Sequence, residues 1–308
     1  MTDFKELRLD RRAFMGGVMG ASILGTTPAL GAATPAGARA VAFTGSGAVA
    51  IGDAFLTSED GGVSWRQGAR PDRKLVALAT HPERPNRLIV ALEDGGVAVS
   101  HNEGKRLVPA GRGLPATEIG ALATAARLPD TLYAAIPGDG LWRSEDAGES
   151  WDFVMDRPFI AGEEQDVLSL ASVDLASGMG GIWLYGGSTG GLQRVPDCFC
   201  RWQDVQPEHA LDALVDGATV PDTVPLPSGE PVRALISSPA APNRLWAALP
   251  SGIWASADAG LIWGKANSLV ATTLASDPTN PDTLIAASPE GLWHSRDAGL
   301  SWATSTIL

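Results

Sequence analysis

The sequence predicts an all-β fold, a six-bladed β-propeller built from four-stranded antiparallel blades, and three observations predict it. One short phrase returns six times, a second phrase keeps a fixed distance ahead of it, and short apolar runs punctuated by Gly, Pro and Asp fill the space between. Self-similarity at about 40 to 50 residues is the period of a four-stranded propeller blade.

The clearest copies of the first phrase run from Ser58 to Trp65, Ser144 to Trp151, Ser256 to Trp263 and Ser295 to Trp302. Each places an Asp two residues after the Ser (Asp60, Asp146, Asp258, Asp297), a Gly two residues later (Gly62, Gly148, Gly260, Gly299), and closes on the Trp. Two copies are worn. Ser100 to Gly104 keeps Asn102 and lacks its Trp, while Val195 to Trp202 keeps Asp197 and lacks its Ser and Gly. The boxed Asp or Asn recurs at steps of 42, 44, 51, 61 and 39 residues.

The second phrase begins at Pro85, Pro129, Pro242 and Pro281, and precedes the boxed residue by 17, 17, 16 and 16 positions. Between boxes, runs such as Leu75 to Thr80, Arg87 to Leu92 and Gly96 to Ser100 have the length and turn-forming flanks of strands. Blades are therefore laid out at 41–68, 74–110, 117–156, 166–206, 231–266 and 268–306, and nothing supports a seventh.

The box itself reads as a corner. The short Asp carboxylate accepts backbone N–H groups across a turn, Gly tolerates a left-handed conformation, Ser adds a local hydrogen bond, and Trp covers the base of the hairpin. Aspartates at equivalent corners all round a ring do not converge on one substrate, so the box residues are assigned to the fold rather than to chemistry.

These phrases resemble those of the Asp-box, or BNR-repeat, propeller superfamily. The stretch from Asp277 to Ala287, followed by Gly291 to Trp302, is most similar to the repeats of sortilin-type receptors, xyloglucanases and photosystem II assembly factors. The resemblance implies the fold, but its members include enzymes and binding proteins alike. A sialidase would need an arginine cluster and a late Tyr nucleophile, whereas Tyr133 and Tyr185 are the only tyrosines and sit in strand-like runs. Xyloglucanases place their carboxylates between two propellers, and this chain has room for one.

The first forty residues read as an address. Arg11 and Arg12 precede an apolar, Gly-rich stretch from Met15 to about Leu30 and then small residues, the pattern of a twin-arginine signal. Cleavage is expected after Ala32 or Ala40, leaving one propeller domain over 41–308. The expected export partner is the twin-arginine translocon, the expected location is periplasmic or secreted, and no stable membrane span is expected after cleavage. Removing residues 1–40 moves the formal charge from -12 to -14. So acidic a surface argues against nucleic acid as a partner.

Cys198 and Cys200 are the only cysteines. In an oxidising compartment they can join and clamp a turn in which Phe199 replaces the usual Gly; free thiols, or metal or redox work, are the other readings their spacing leaves open. No metal and no cofactor is expected, because the four histidines lack ligand spacing and no glycine loop opens a helix to cradle phosphate. The run from Gly186 to Gly190 matches G-x-S-x-G but falls between strands rather than on a strand-to-helix elbow.

Function is therefore sought in departures from the repeat. An insertion at 156–166 combines Asp156, Arg157, Glu163 and Glu164 with Phe159, and a longer one at 207–230 carries Glu208, Asp212 and Asp216 on a short helical pattern. Loops on a rigid frame are frequent binding sites. The leading expectation is a non-catalytic binding or assembly module for a protein or glycan in the cell envelope. The alternative is a glycoside-hydrolase-like enzyme whose acid and base come from Glu118, Asp166 and Glu230 at the mouth of the ring. The same carboxylates can instead pair locally, for instance Asp72 with Arg73 or Glu230 with Arg233.

Overall fold

The computed structural model describes residues 37–176, 181–207 and 222–308. Arg11 and Arg12 of the export signal, and Glu208, Asp212 and Asp216 of the longer insertion, lie outside the described residues.

Among the described residues, six sheets each hold four strands paired antiparallel in sequence order, besides a two-stranded hairpin and a last short strand that pairs in parallel with the first blade, so the chain is the six-bladed propeller its repeats predict. The blades occupy 40–67, 75–110, 121–155, 169–204, 234–267 and 273–304. Their innermost strands are Ala40–Thr44, Leu75–His81, Ala121–Thr124, Ser169–Asp174, Ala234–Ser238 and Thr273–Ser276. Each inner strand touches the next, and the last touches the first, closing the ring.

The apolar core is divided into six clusters, one in each seam between neighbouring blades. Neighbouring blades bury one another: Ile89 and Val99 of the second blade share a cluster with Leu132 and Trp151 of the third. Each blade therefore depends on its neighbours for a core.

The boxes are turns locked by their own side chains. In the first, Ser58 Oγ donates to Asp60, Gly62 N donates to Ser58 Oγ at 2.9 Å, Ser64 N donates to Asp60 at 2.9 Å, and Trp65 Nε1 donates to the Gly62 carbonyl at 3.0 Å. The residue before the boxed Gly is also left-handed, with φ of 62° at Ala147, 58° at Ala259 and 61° at Ala298, a strain the sequence pattern did not show.

The fixed spacing of the two phrases has a direct cause. The carbonyls of Asn86, Asp130, Asn243 and Asp282 accept the N–H of the left-handed box residues Glu103, Ala147, Ala259 and Ala298, at 2.8 to 2.9 Å. The second phrase thus holds the box of its own blade. Two of its copies also reach across a seam, Arg87 to Asp130 at 2.6 Å and Arg244 to Asp282 at 2.9 Å. These pairs lie three blades apart.

Further ties run from one blade to the next box. The segment after the outer strand pairs in parallel with that box at Arg112 with Ser150 and Val224 with Ile262, and Thr306–Ile307 closes the ring on Ser64 and Trp65. Cys198 and Cys200 form a disulfide within the worn fourth box. Ala38 and Ala40 are already buried in seams and Arg39 N donates to the Ile51 carbonyl at 2.7 Å, so the packed structure begins ahead of the later candidate cleavage point.

Candidate binding surfaces

Antiparallel order puts the turns between second and third strands, and the connections between blades, at one end of the ring, here the upper face; the other turns lie at the lower face. The 156–166 insertion belongs to the upper face by this connectivity, while Val224, after the longer one, runs along the fifth box.

The 156–166 insertion is a miniature hairpin. Phe159–Ile160 pairs with Glu163–Glu164 around Ala161 and Gly162, whose φ values of 54° and 91° are those of a tight type I′ turn. It is not loose. Arg157 pairs with Glu164 and, at 3.1 Å, with Asp166, and the hydrogen bond to Asp166 is the main cause raising the guanidinium pKa. Thr189 Oγ1 donates to Gln165 Oε1 at 3.1 Å, and Ile160 lies over Gly190 so closely that a Cβ there would meet it at 3.1 Å. The G-x-S-x-G run is therefore the seat of this hairpin. Its Ser188 is fully buried, with its hydroxyl donating to the Gly191 carbonyl, and offers no nucleophile to solvent.

What the hairpin presents is Phe159, 66% exposed, beside the exposed Glu163 and Glu164. Asp156 is also exposed, while its carbonyl accepts Trp202 Nε1 at 2.8 Å and so ties the insertion to the fourth box. The hairpin thus brings together Asp156, Arg157, Phe159, Glu163 and Glu164.

The three mouth carboxylates are divided. Asp166 accepts Gly138 N at 2.8 Å as well as Arg157, and Glu230 accepts Ser251 N at 2.7 Å, so both fasten upper-face turns. Glu118 is exposed. The local pairs differ from expectation. Arg73 binds Asp94 in place of Asp72, because the second-to-third-strand turn of its own blade swings that carboxylate alongside, and Glu230 turns to a backbone N–H instead of Arg233. Among the described residues no group of three or more His, Cys, Asp or Glu could hold a metal, and no helix is long and apolar enough to cross a membrane.

The lower face holds a feature that the sequence reading missed. A cavity of about 250 Å³ opens where the inner strands end, and every blade contributes a hydroxyl at the equivalent place, Thr44, Thr80, Thr124, Ser172, Ser237 and Ser276, with Ser238 beside them. The hydroxyls also stitch the ring, Thr124 donating to the Thr80 carbonyl at 2.6 Å and Ser237 to the Ser172 carbonyl at 2.8 Å. The signal was available as one Ser or Thr at the same place in each inner run. Beside them His81 is buried, its Nδ1 accepting Glu83 N at 3.1 Å, and burial lowers its pKa.

No protein-family model matches the chain, and no curated protein matches it at a significant level. Solved structures do match. The GH74 xyloglucanase from Xanthomonas campestris overlays at a TM-score of 0.52 with 19% identity, covering 86% of this chain and 45% of that one. The COPII outer coat vertex on membranes overlays at 0.59 with 10% identity, covering 87% and 70%. YCF48 from Cyanidioschyzon merolae overlays at 0.49 with 13% identity, covering 88% and 85%. The chain spans a third to a half of the length of the GH74 proteins it matches, at 45%, 46% and 32%. An enzyme and a coat protein share the scaffold, so the likeness is one of fold.

Proposed function

We propose that the chain is an exported, non-catalytic propeller that docks a protein partner in the cell envelope through the upper-face hairpin. The observation that carries this reading is Phe159, a large apolar side chain held in water on a hairpin that an ion-pair network and a buried contact make rigid. Aromatic anchors on preorganised elements dominate protein interfaces, and the glutamates around this one suit a partner with an apolar cleft and a basic rim. The twin-arginine segment and the Cys198–Cys200 disulfide both fit an oxidising compartment outside the cytoplasm.

Affinity capture from the periplasm tests the reading, with Phe159→Ala and Glu163→Lys/Glu164→Lys as comparators. One partner should be retained by the parent and lost by both variants while their melting temperatures stay near the parent's. Binding only to a glycan array would replace the protein partner with a sugar. Release of reducing sugar that disappears in Glu118→Gln would overturn the non-catalytic assignment.

A further inference from the structure

We propose that the seam between the first and second blades is a binding slot for a small planar aromatic carboxylate, an indole-sized ring with its acid on a short tether. Five of the six seams are plugged from within by the Trp that closes a box: Trp65, Trp151, Trp202, Trp263 and Trp302 each pack against the preceding blade. In the second box that place belongs to Leu107, with Phe55 reaching in from the first blade. The two do not fill the space. A cavity of about 360 Å³ remains, walled by Phe55, Leu75, Leu92 and Leu107, a size that takes a small ligand.

The slot is also unstrapped. At three other seams the segment leaving one blade pairs along the next box, but here it folds back on its own blade: Gly68 N donates to the Phe55 carbonyl at 2.8 Å and Phe55 N to the Ala69 carbonyl at 3.0 Å. Phe55 and Leu107 are left half-buried at an open edge.

Charge sets the polarity of the occupant. The chain carries a formal charge of -12, yet the mouth of this slot gathers Arg70, Arg73 and Lys105 against Asp72. Arg73 is held by Asp94, whereas Arg70 and Lys105 make no ion pair among the described residues. Apolar walls beside two uncommitted cations favour a ring that carries an anion. A neutral ring forgoes the cations, and a bare anion leaves the walls wet. The slot lies away from the hairpin and does not depend on the function proposed for it.

Calorimetric titration of the full chain with indole-3-propionate tests the slot, with 3-methylindole as the uncharged comparator. One saturable site is expected, weaker by about tenfold for 3-methylindole and weaker by about tenfold for indole-3-propionate in Arg70→Gln/Lys105→Gln. Leu107→Trp restores the internal plug found at the other seams, so it should abolish binding and melt above the parent. Absence of a saturable site, full binding in Leu107→Trp, or binding of an acidic Trp-containing peptide but not of the free acid would each overturn the proposal. Should Leu107→Trp fail to fold, unchanged affinity in the exposed Arg70→Gln/Lys105→Gln variant overturns it equally.

Discussion

The second and fourth boxes are both worn, yet the ring treats them differently. In the fourth, losses are made good. The Cys198–Cys200 disulfide spans the corner, Phe199 takes the left-handed position at φ 50°, Asp197 accepts the hydroxyl of Tyr133 from the third blade, and Trp202 turns its Nε1 to the Asp156 carbonyl. In the second, Asn102 and Ser100 keep the turn, but the smaller Leu107 stands where the Trp would and leaves the seam open. Turn and plug are therefore separable functions of one motif. A corner needs only acceptors and a left-handed residue; a tight seam needs a large ring.

The largest effect expected from breaking this division is at an intact plug. Trp151 is 3% exposed within the seam of the second and third blades, so Trp151→Ala should cost about 3–5 kcal/mol in chemical denaturation. Leu107→Ala, at the corresponding place beside an existing cavity, should cost only about 1–2 kcal/mol. Equal losses would mean that the second seam is as well packed as the others. The fourth box gives the next effect. Cys198→Ser/Cys200→Ser removes a very short loop closure, and melting under oxidising conditions should report about 1.5 kcal/mol of lost stability.

A third test uses acid, because an intact box depends on a charge that Asn102 does without. Burial raises the Asp60 pKa, but hydrogen bonds from Ser64 and Ser58 outweigh it and bring it from 3.8 to about 2. Asp146 and Asp297 are lowered in the same direction, through bonds from Ser150 and Ser301. A folded value below the unfolded one means the unfolded chain takes up protons first. The stabilisation is present above the unfolded value of 3.8 and is lost as pH falls toward 2. Asp60→Asn should thus flatten the fall in melting temperature between those limits. His81 acts earlier: its pKa is lowered from 6.5 by burial, so its contribution is present above 6.5 and fades as pH drops below it.

The blades were legible because each is specified locally, by a box, a paired phrase and short apolar runs, and their limits fall within a few residues of the expected ones. The candidate site was legible only in part. An insertion announces itself in a repeat, so the hairpin residues could be named; that Gly186 to Gly190 seats the hairpin depends on a contact between Ile160 and Gly190 some 30 positions apart. The distant partners of Arg73, within its blade, and of Tyr133, across a seam, were hidden for the same reason, since neither Asp94 nor Asp197 is a near neighbour in sequence. The missing Trp of the second box was visible from the start, but its consequence, a cavity, belongs to two blades at once.

The smallest effect concerns strain common to intact and worn corners. The first box has Gly61 at the left-handed position with φ 72°, where later boxes place Ala147, Ala259 and Ala298. At Ala298 the N–H is already spent on the Asp282 carbonyl at 2.9 Å, so the backbone geometry is fixed by the second phrase whatever the side chain. Ala298→Gly then removes the steric penalty of a Cβ in that conformation and adds back some unfolded-state entropy, and relief should win by about 0.5–1 kcal/mol. A melting temperature below the parent's would mean that the Ala298 methyl, packed at the edge of the cluster around Trp246, contributes more to the seam than its backbone costs the corner.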